Sequence, residues 1–175
     1  MAKATFAGGC FWCTETLFSR LEGVLNATPG YTGGHIKNPA YREVCTGRTG
    51  HAECVHIEFD SNKISFSNLL EVFFDTHDPT TLNRQGGDTG TQYRSGIFYH
   101  SDEQKTLAKK FIDDLEKQQI FSSPIVTELT AFEVFYPAEL EHQDYYNLNE
   151  NQPYCVAVIS PKVKKLLTKH TSKLK

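Results

Sequence analysis

No run of apolar residues in this chain approaches the roughly 20 that a membrane-spanning helix needs. There is also no excess of charge of one sign. The formal net charge is −3 and the isoelectric point is near 6.2, so nothing invites a nucleic-acid backbone. The opening Met1–Ala7 stretch is too short and too interrupted for a secretory signal, which makes a reducing, cytoplasmic compartment the expectation. Internal repeats and low-complexity linkers are absent. The cysteine count is odd, at five, which argues against a complete disulfide framework. Only one close-spaced pair exists, Cys10-x-x-Cys13, and no His-x-x-x-His completes a zinc set. What remains is 39% apolar and 22% charged over 175 residues. That composition fits one globular domain, residues 1–175, able to bury a full core without staples.

The periodicities give an ordered set of elements. Lys3–Ala7 reads as a strand and Phe11–Leu21 as a helix, with Phe11, Phe18 and Leu21 on one face and Gly23 as a stop. Val24–Tyr31 reads as a second strand. A polar stretch, Thr32–His51, follows without a period. Glu53–Asp60 alternates cleanly, with Val55, Ile57 and Phe59 on one side and Cys54, His56 and Glu58 on the other. Phe66 to Phe74 marks a helix, and Asp75–Gln92 a second long loop. Tyr93–Tyr99 is the next strand. Ser101 and Gln104 open a helix to about Gln119 in capping-box fashion. Ile125–Phe135 reads as one strand broken near Thr130, and Ala138–Leu148 as a short acidic helix. Ser160-Pro161 reads as the start of a basic helix, with Ser as N-cap. Residues 171–175 are expected to be a disordered tail. The first six elements run β-α-β-β-α-β, which predicts an α+β fold: a ferredoxin-like, split β-α-β two-layer sandwich with added helices and long loops.

The chemistry centres on Gly8-Gly9-Cys10-Phe11-Trp12-Cys13, which holds the only Trp. Cys10 falls where a strand turns into a helix N-terminus. Free backbone N–H groups and the positive dipole end favour a thiolate there, so Cys10 reads as a nucleophile of lowered pKa. The competing reading is an inert buried thiol behind a tight turn. Two loop clusters are candidates to join it: Tyr41 with Glu53, and Asp88, Gln92 and Tyr93. Long loops on a rigid scaffold are where sites are built. If the three stretches converge, a carboxyl against Phe11 and Trp12 stays protonated and acts as an acid. Two phenols donate to an oxygen, an aromatic wall takes a methyl group, and a soft nucleophile attacks sulfur. Such a site suits reduction of a methyl sulfoxide.

Several longer stretches carry a resemblance. Gly9-Cys10-Phe11-Trp12, Gly30-Tyr31-Thr32-Gly33-Gly34, Tyr41 through Glu53, Asn83-Arg84-Gln85-Gly86, Gly90 through Ser95, and His142-Gln143-Asp144-Tyr145 closely resemble the peptide methionine sulfoxide reductase A family, in order from about residue 4 to 155. The resemblance implies reduction of the S epimer of methionine sulfoxide, free or in proteins. It implies Cys10 as the nucleophile that ends as a sulfenic acid, and Glu53 as the proton donor. Tyr41 and Tyr93 would bind the oxygen, Phe11 and Trp12 would form the methyl pocket, Asp88 would contact the substrate main chain, and His142 would lie near the site. It implies no metal or bound cofactor, thioredoxin as a transient partner supplying electrons, and a monomer.

A second thiol must then resolve the sulfenic acid. Cys155, in Asn151–Cys155, resembles the family's resolving cysteine and is expected on a mobile loop. Cys13 is the other candidate. At i+3 on a helix its Cβ lies about 5–6 Å from that of Cys10, long for a relaxed disulfide, yet C-x-x-C pairs at helix N-termini manage it. The resemblance favours Cys155, and Cys45 and Cys54 read as packed, non-catalytic thiols. The Ala138–Glu141 run departs from the Glu-Asp-Tyr that often precedes His-Gln in the family. Two other readings compete: a general thiol–disulfide oxidoreductase using Cys10 and Cys13, and a non-enzymatic module that captures oxidised Met.

Overall fold

The computed structural model describes residues 1–175, and its centre follows from the alternation of β3 (Ala52–Phe59). Val55, Ile57 and Phe59 enter the largest apolar cluster, while Ala52 and Cys54 enter a smaller one on the other face. Burial on both faces places β3 in the middle of the sheet. It pairs antiparallel with β1 (Ala2–Gly8) and β2 (Val24–Thr32), and β1 pairs antiparallel with β6 (Ser95–Tyr99). With β7 (Glu128–Ala131) and β8 (Phe135–Pro137) at the edges, the full sheet order is β7-β6-β1-β3-β2-β8.

Helices α1 (Phe11–Ser19), α3 (Phe66–Asp75), α4 (Asp102–Lys117) and α6 (Ser160–Lys169) share the large cluster and form the second layer. The apolar stripe of α3 is Phe66, Leu69, Leu70 and Phe73, and Ser65 caps it by accepting the Asn68 N–H at 3.0 Å. Ser101 caps α4 through the Gln104 N–H, and the Gln104 side chain accepts from His100 N–H instead of closing the expected box on Ser101.

The structure corrects several expectations. The Thr32–His51 stretch contains a helix, α2 (Tyr41–Cys45), whose start is fixed from outside by Glu139, which accepts the Tyr41 N–H. The Asp75–Gln92 stretch contains a small hairpin, β4 (Arg84–Gln85) with β5 (Asp88–Thr89), and Tyr93 closes a 3₁₀ turn instead of opening β6. Ile125–Phe135 is not one broken strand. It yields β7 (Glu128–Ala131), parallel to β6, and β8 (Phe135–Pro137), antiparallel to β2 at the opposite edge. Between them the chain crosses the outer face, where Phe132 and Phe135 cover Ala7, Cys54 and Phe98. Gly30 allows β8 to approach, since a Cβ there would lie 2.3 Å from the Tyr136 carbonyl oxygen.

Ala138–Leu148 is not one helix but a 3₁₀ turn (Leu140–His142) and a short α5 (Tyr145–Leu148), separated by Asp144 at φ 57°. Ser160 is no N-cap. The chain is already helical from a wide turn at Cys155–Ile159, and the Ser160 hydroxyl bonds Tyr146 Oη at 2.8 Å. Cys155 is accordingly fully buried and not on a mobile loop. Residues 171–175 are not a disordered tail. They form a 3₁₀ turn, and Glu22 N–H and Lys175 N–H bond the Lys173 and Arg20 carbonyls at 2.7 and 3.0 Å.

Phe6, fully buried, stacks on Phe18, Phe66 and Phe73 at centroid distances of 5.2, 5.9 and 4.9 Å, joining the sheet to both α1 and α3. Phe6→Ala is expected to lower unfolding free energy by about 3–5 kcal/mol, read by urea denaturation monitored by circular dichroism. A loss below about 1 kcal/mol would show that this cluster does not carry the sheet–helix contact.

Candidate active site

β1 ends in Gly8-Gly9, and Gly9 sits at φ +92°, where a Cβ would also lie 2.6 Å from the Gln85 side chain. That turn sets Cys10 in extended conformation at the N-cap of α1, with Phe11 as the first helical residue. The Phe11 N–H is one of the donors a helix start leaves free. It is taken by Glu53 Oε1 at 3.1 Å. Glu53 stands at the start of β3, is 1% exposed, and its Oε2 has no hydrogen-bond partner. Burial raises its carboxyl well above the ordinary range, the Cys10 charge adds to this, and the Phe11 N–H opposes it.

Tyr41 and Tyr93 are half-buried, and both phenols are pushed upward, by burial first and then by Glu53. They stay protonated donors. Tyr41 lies against the Phe11 ring at 6.1 Å and the His142 ring at 4.2 Å. His142 is buried and accepts the Trp12 indole N–H at 3.2 Å. The Trp12 ring stacks on Tyr145 at 3.7 Å, nearly parallel. Phe11, Trp12, Tyr41, Glu53 and His142 are thus neighbours around the Cys10 turn, and Tyr93 is near enough for Glu53 and Cys10 to raise its phenol.

The thiols are arranged otherwise than expected. Cys10 is 8% exposed and its pKa is raised, by burial first and then by the neighbouring Cys13 thiol, against the lowered value expected at a helix end. Cys13 is lowered by the neighbouring Cys10 thiol, with help from Lys162. The first negative charge belongs to the pair. The Trp12 backbone N–H also favours the ionised form of Cys10. Cys155 lies in the same apolar cluster as Cys10 and Cys13. Cys54 is buried as expected, but Cys45 is exposed, because α2 ends there at the surface.

Asp88 does not offer a free carboxylate in this state, since its Oδ2 accepts the Tyr154 hydroxyl at 2.6 Å. A cavity of about 350 Å³ opens beside the thiols, lined by Cys10, Cys13, Gln85, Asp88, Tyr154 and Lys162 among others. Glu53, Tyr41 and Tyr93 do not line it. Tyr154, Lys162 and Glu139 escaped the sequence reading. Glu139 accepts from the Tyr31 hydroxyl and the Tyr41 N–H, each at 2.9 Å, and so ties β2 to α2. Tyr154 had a signal in being adjacent to Cys155; Lys162 and Glu139 had none.

Two clusters have donor atoms close enough for a metal, Glu71–Asp75–His170 and Glu139–Glu141–His142. In the first, Lys169 and Lys173 already pair with the carboxylates at 3.1 and 3.5 Å. In the second, Glu139 and His142 are engaged by Tyr31, Tyr41 and Trp12.

Paired thiols at a helix N-cap, facing an un-ionised carboxyl and two phenols, define a thiol-based oxidoreductase of α+β fold. The sequence matches the peptide methionine sulfoxide reductase family over residues 2–175, and the chain belongs to that family. It is similar to the peptide methionine sulfoxide reductase MsrA of Saccharolobus solfataricus, 54% identical over 175 residues, covering 100% of this chain and 98% of the relative. The MsrA of Deinococcus radiodurans is 53% identical over 173 residues, covering 99% and 84%. Among solved structures, reduced Mxr1 of Saccharomyces cerevisiae superposes with a TM-score of 0.80 at 33% identity, covering 88% of each chain. Mxr1 in complex with Trx2 gives 0.56 at 25% identity, covering 82% of this chain and 84% of that one.

The buried acid has a consequence for stability. Glu53 keeps its proton in the folded state where an unfolded carboxyl, with a pKa near 4.3, has lost it. The folded state therefore binds more protons, and this residue's contribution to stability falls as pH rises from that value toward the folded pKa. Glu53→Gln removes the effect. The variant is expected to be more stable than the parent at pH 7, with the difference shrinking toward pH 4. Thermal unfolding at the two pH values measures this, and a less stable variant at pH 7 would contradict a neutral, buried Glu53.

Proposed function

We propose that this enzyme reduces the S epimer of methionine sulfoxide, free or in proteins, with thioredoxin as reductant. The observation that carries the reading is the buried, unpartnered Oε2 of Glu53 beside Cys10. With Oε1 accepting the Phe11 N–H, the carboxyl proton belongs on Oε2. The sulfoxide methyl group lies against Phe11 and Trp12, and its oxygen takes hydrogen bonds from Tyr41, Tyr93 and Glu53. The charge shared by the thiol pair passes to Cys10, where the Trp12 backbone N–H holds it. The Cys10 thiolate attacks the sulfoxide sulfur while Glu53 protonates the oxygen. The attack forms an S–S bond to the substrate sulfur, which now carries a hydroxyl. That hydroxyl moves to the Cys10 sulfur as the S–O and S–S bonds to the substrate sulfur break. The electron pair returns to that sulfur, methionine leaves, and Cys10 is left as a sulfenic acid. A second thiol attacks that sulfur, releases water and leaves a disulfide. An external dithiol reduces it.

Cys13 stands one helical turn from Cys10, its N–H bonded to the Cys10 carbonyl at 3.0 Å, and that nearness favours Cys13 as the resolving thiol. Cys155 is the second reading, supported by its place in the same cluster. Asp88 becomes available to a substrate main chain once Tyr154 moves away. The strand order β6-β1-β3-β2 supports reading the core as ferredoxin-like. We further place the enzyme, as a monomer, in a reducing cytoplasm. No helix is long and apolar enough to cross a membrane.

Cys10→Ser is expected to abolish turnover of the S epimer. Glu53→Gln should slow the single-turnover rate roughly a hundredfold. Appreciable activity in the first variant, or an unchanged rate in the second, removes that residue from its role. A wild-type enzyme that consumes the R epimer faster than the S epimer would refute the stereochemical assignment. Cys13→Ser should release one methionine per enzyme and then stall with thioredoxin, while Cys155→Ser continues. The reverse pattern, with the disulfide mapped by mass spectrometry, gives the resolving role to Cys155.

A further inference from the structure

Glu15 has no part in the chemistry above, yet it is a buried carboxyl, 7% exposed, on the helix that carries both catalytic thiols. It follows Phe11 and Trp12 at the i+4 and i+3 spacings, so it shares their helix face. Its two oxygens both lie 2.9 Å from the Asp144 N–H. Asp144 is a non-glycine residue at φ 57°, ψ 31°, a conformation that needs support from its surroundings. On either side of it stand the two residues that frame the indole. His142 accepts the Trp12 N–H, and Tyr145 lies flat on the Trp12 ring.

We propose that Glu15 is the positioning residue for the pocket wall: its carboxylate holds the Asp144 backbone, and through it sets Tyr145 and His142 against Trp12. The inference rests on reading that wall as the methyl pocket for sulfoxide.

The anchor is also sensitive to pH. Burial, with the Asp144 charge next, raises the Glu15 pKa to about 7 against the pull of the backbone N–H bonds of Asp144 and Tyr145. The other titratable groups around this wall are His142, whose Nδ1 is the acceptor for the indole, Glu141, 4.0 Å from His142 Nε2, Glu139 of the same cluster, Tyr41 against the His142 ring, Tyr145 and Tyr154 against the indole, and the Cys10 and Cys13 thiols on either side of Trp12. Arg20, next after the last residue of the same helix, reaches the segment through Asn147 at 3.3 Å. Above about pH 7 the anchor is a charged acceptor. Below it the bond weakens, because one oxygen carries a proton.

The chain has one tryptophan, so its fluorescence reports this wall directly. Wild-type emission should change with pH with a midpoint near 7, and that transition should vanish in Glu15→Gln, which keeps shape and one acceptor oxygen. Glu15→Ala should shift the emission at pH 8 and raise KM for a methyl sulfoxide about tenfold, the worth of one lost charged hydrogen bond, while kcat changes less than about threefold. Glu15→Gln should restore most of KM. The proposal is overturned if Glu15→Ala keeps wild-type emission, or if the transition near pH 7 persists unchanged in Glu15→Gln. An emission shift in Glu15→Ala with unchanged KM would support the anchor and overturn the assignment of this wall to the sulfoxide.

Discussion

The hydrogen bond from the Phe11 N–H to Glu53 Oε1 is the constraint on which the site depends. It joins the start of a helix to the start of a central strand, far apart in sequence. It satisfies a helix donor that would otherwise be buried without a partner. It also decides which carboxyl oxygen is left over. With Oε1 committed, Oε2 is the only one free to carry and give a proton, and it is enclosed beside the thiol. Removing the bond would cost more than a contact. It would free the carboxyl to turn, and a turned acid offers its proton to nothing.

The same enclosure acts on acid and nucleophile together. Desolvation favours the neutral form of both Glu53 and Cys10. For an acid that is useful. For a thiol that must attack as an anion it is a cost, and the helix end alone does not offset it. The neighbouring Cys13 changes the balance. On the function proposed above, a single negative charge sits on the pair with Lys162 beyond it and is drawn to Cys10 when a sulfur arrives. Two cysteines a helical turn apart thus provide what one buried cysteine could not.

Much of this was legible in the sequence wherever local pattern and tertiary role agree. The alternation of Val55, Ile57 and Phe59 fixed the orientation of β3, and Glu53 shares their parity, so it faces the helix layer. The Gly-Gly turn with Phe11 and Phe18 put Cys10 at a strand–helix junction. The failures have physical causes. α2 is too short to be stable alone, and its start is tied by Glu139 from across the chain. β7 and β8 look like one strand because an apolar alternation does not record which edge each half joins. Ser160-Pro161 carries a helix-start signature that is overridden because the chain is already helical when it arrives. At Cys10 burial outweighs the helix end, and periodicity does not report burial for a residue in a turn.

The C-terminal third explains how so enclosed a site can be entered. Its far end is fixed. His170 is buried and lies 2.9 Å from Asp75, and residues 173 and 175 bond the end of α1 through the Lys173 carbonyl and the Lys175 N–H. Its near end is fixed through Glu15 and through Trp12. Between these anchors, residues 149–153 are exposed or only half-buried and lead straight into Tyr154, whose hydroxyl bridges to Asp88 beside Cys10. The tether from Tyr154 to Asp88 joins two side chains, not two strands, and so can part without disturbing any element of the sheet. Tyr154, Asp88 and Cys10 line one cavity, so a single phenol joins the C-terminal segment to the β4–β5 hairpin at the edge of the thiol site.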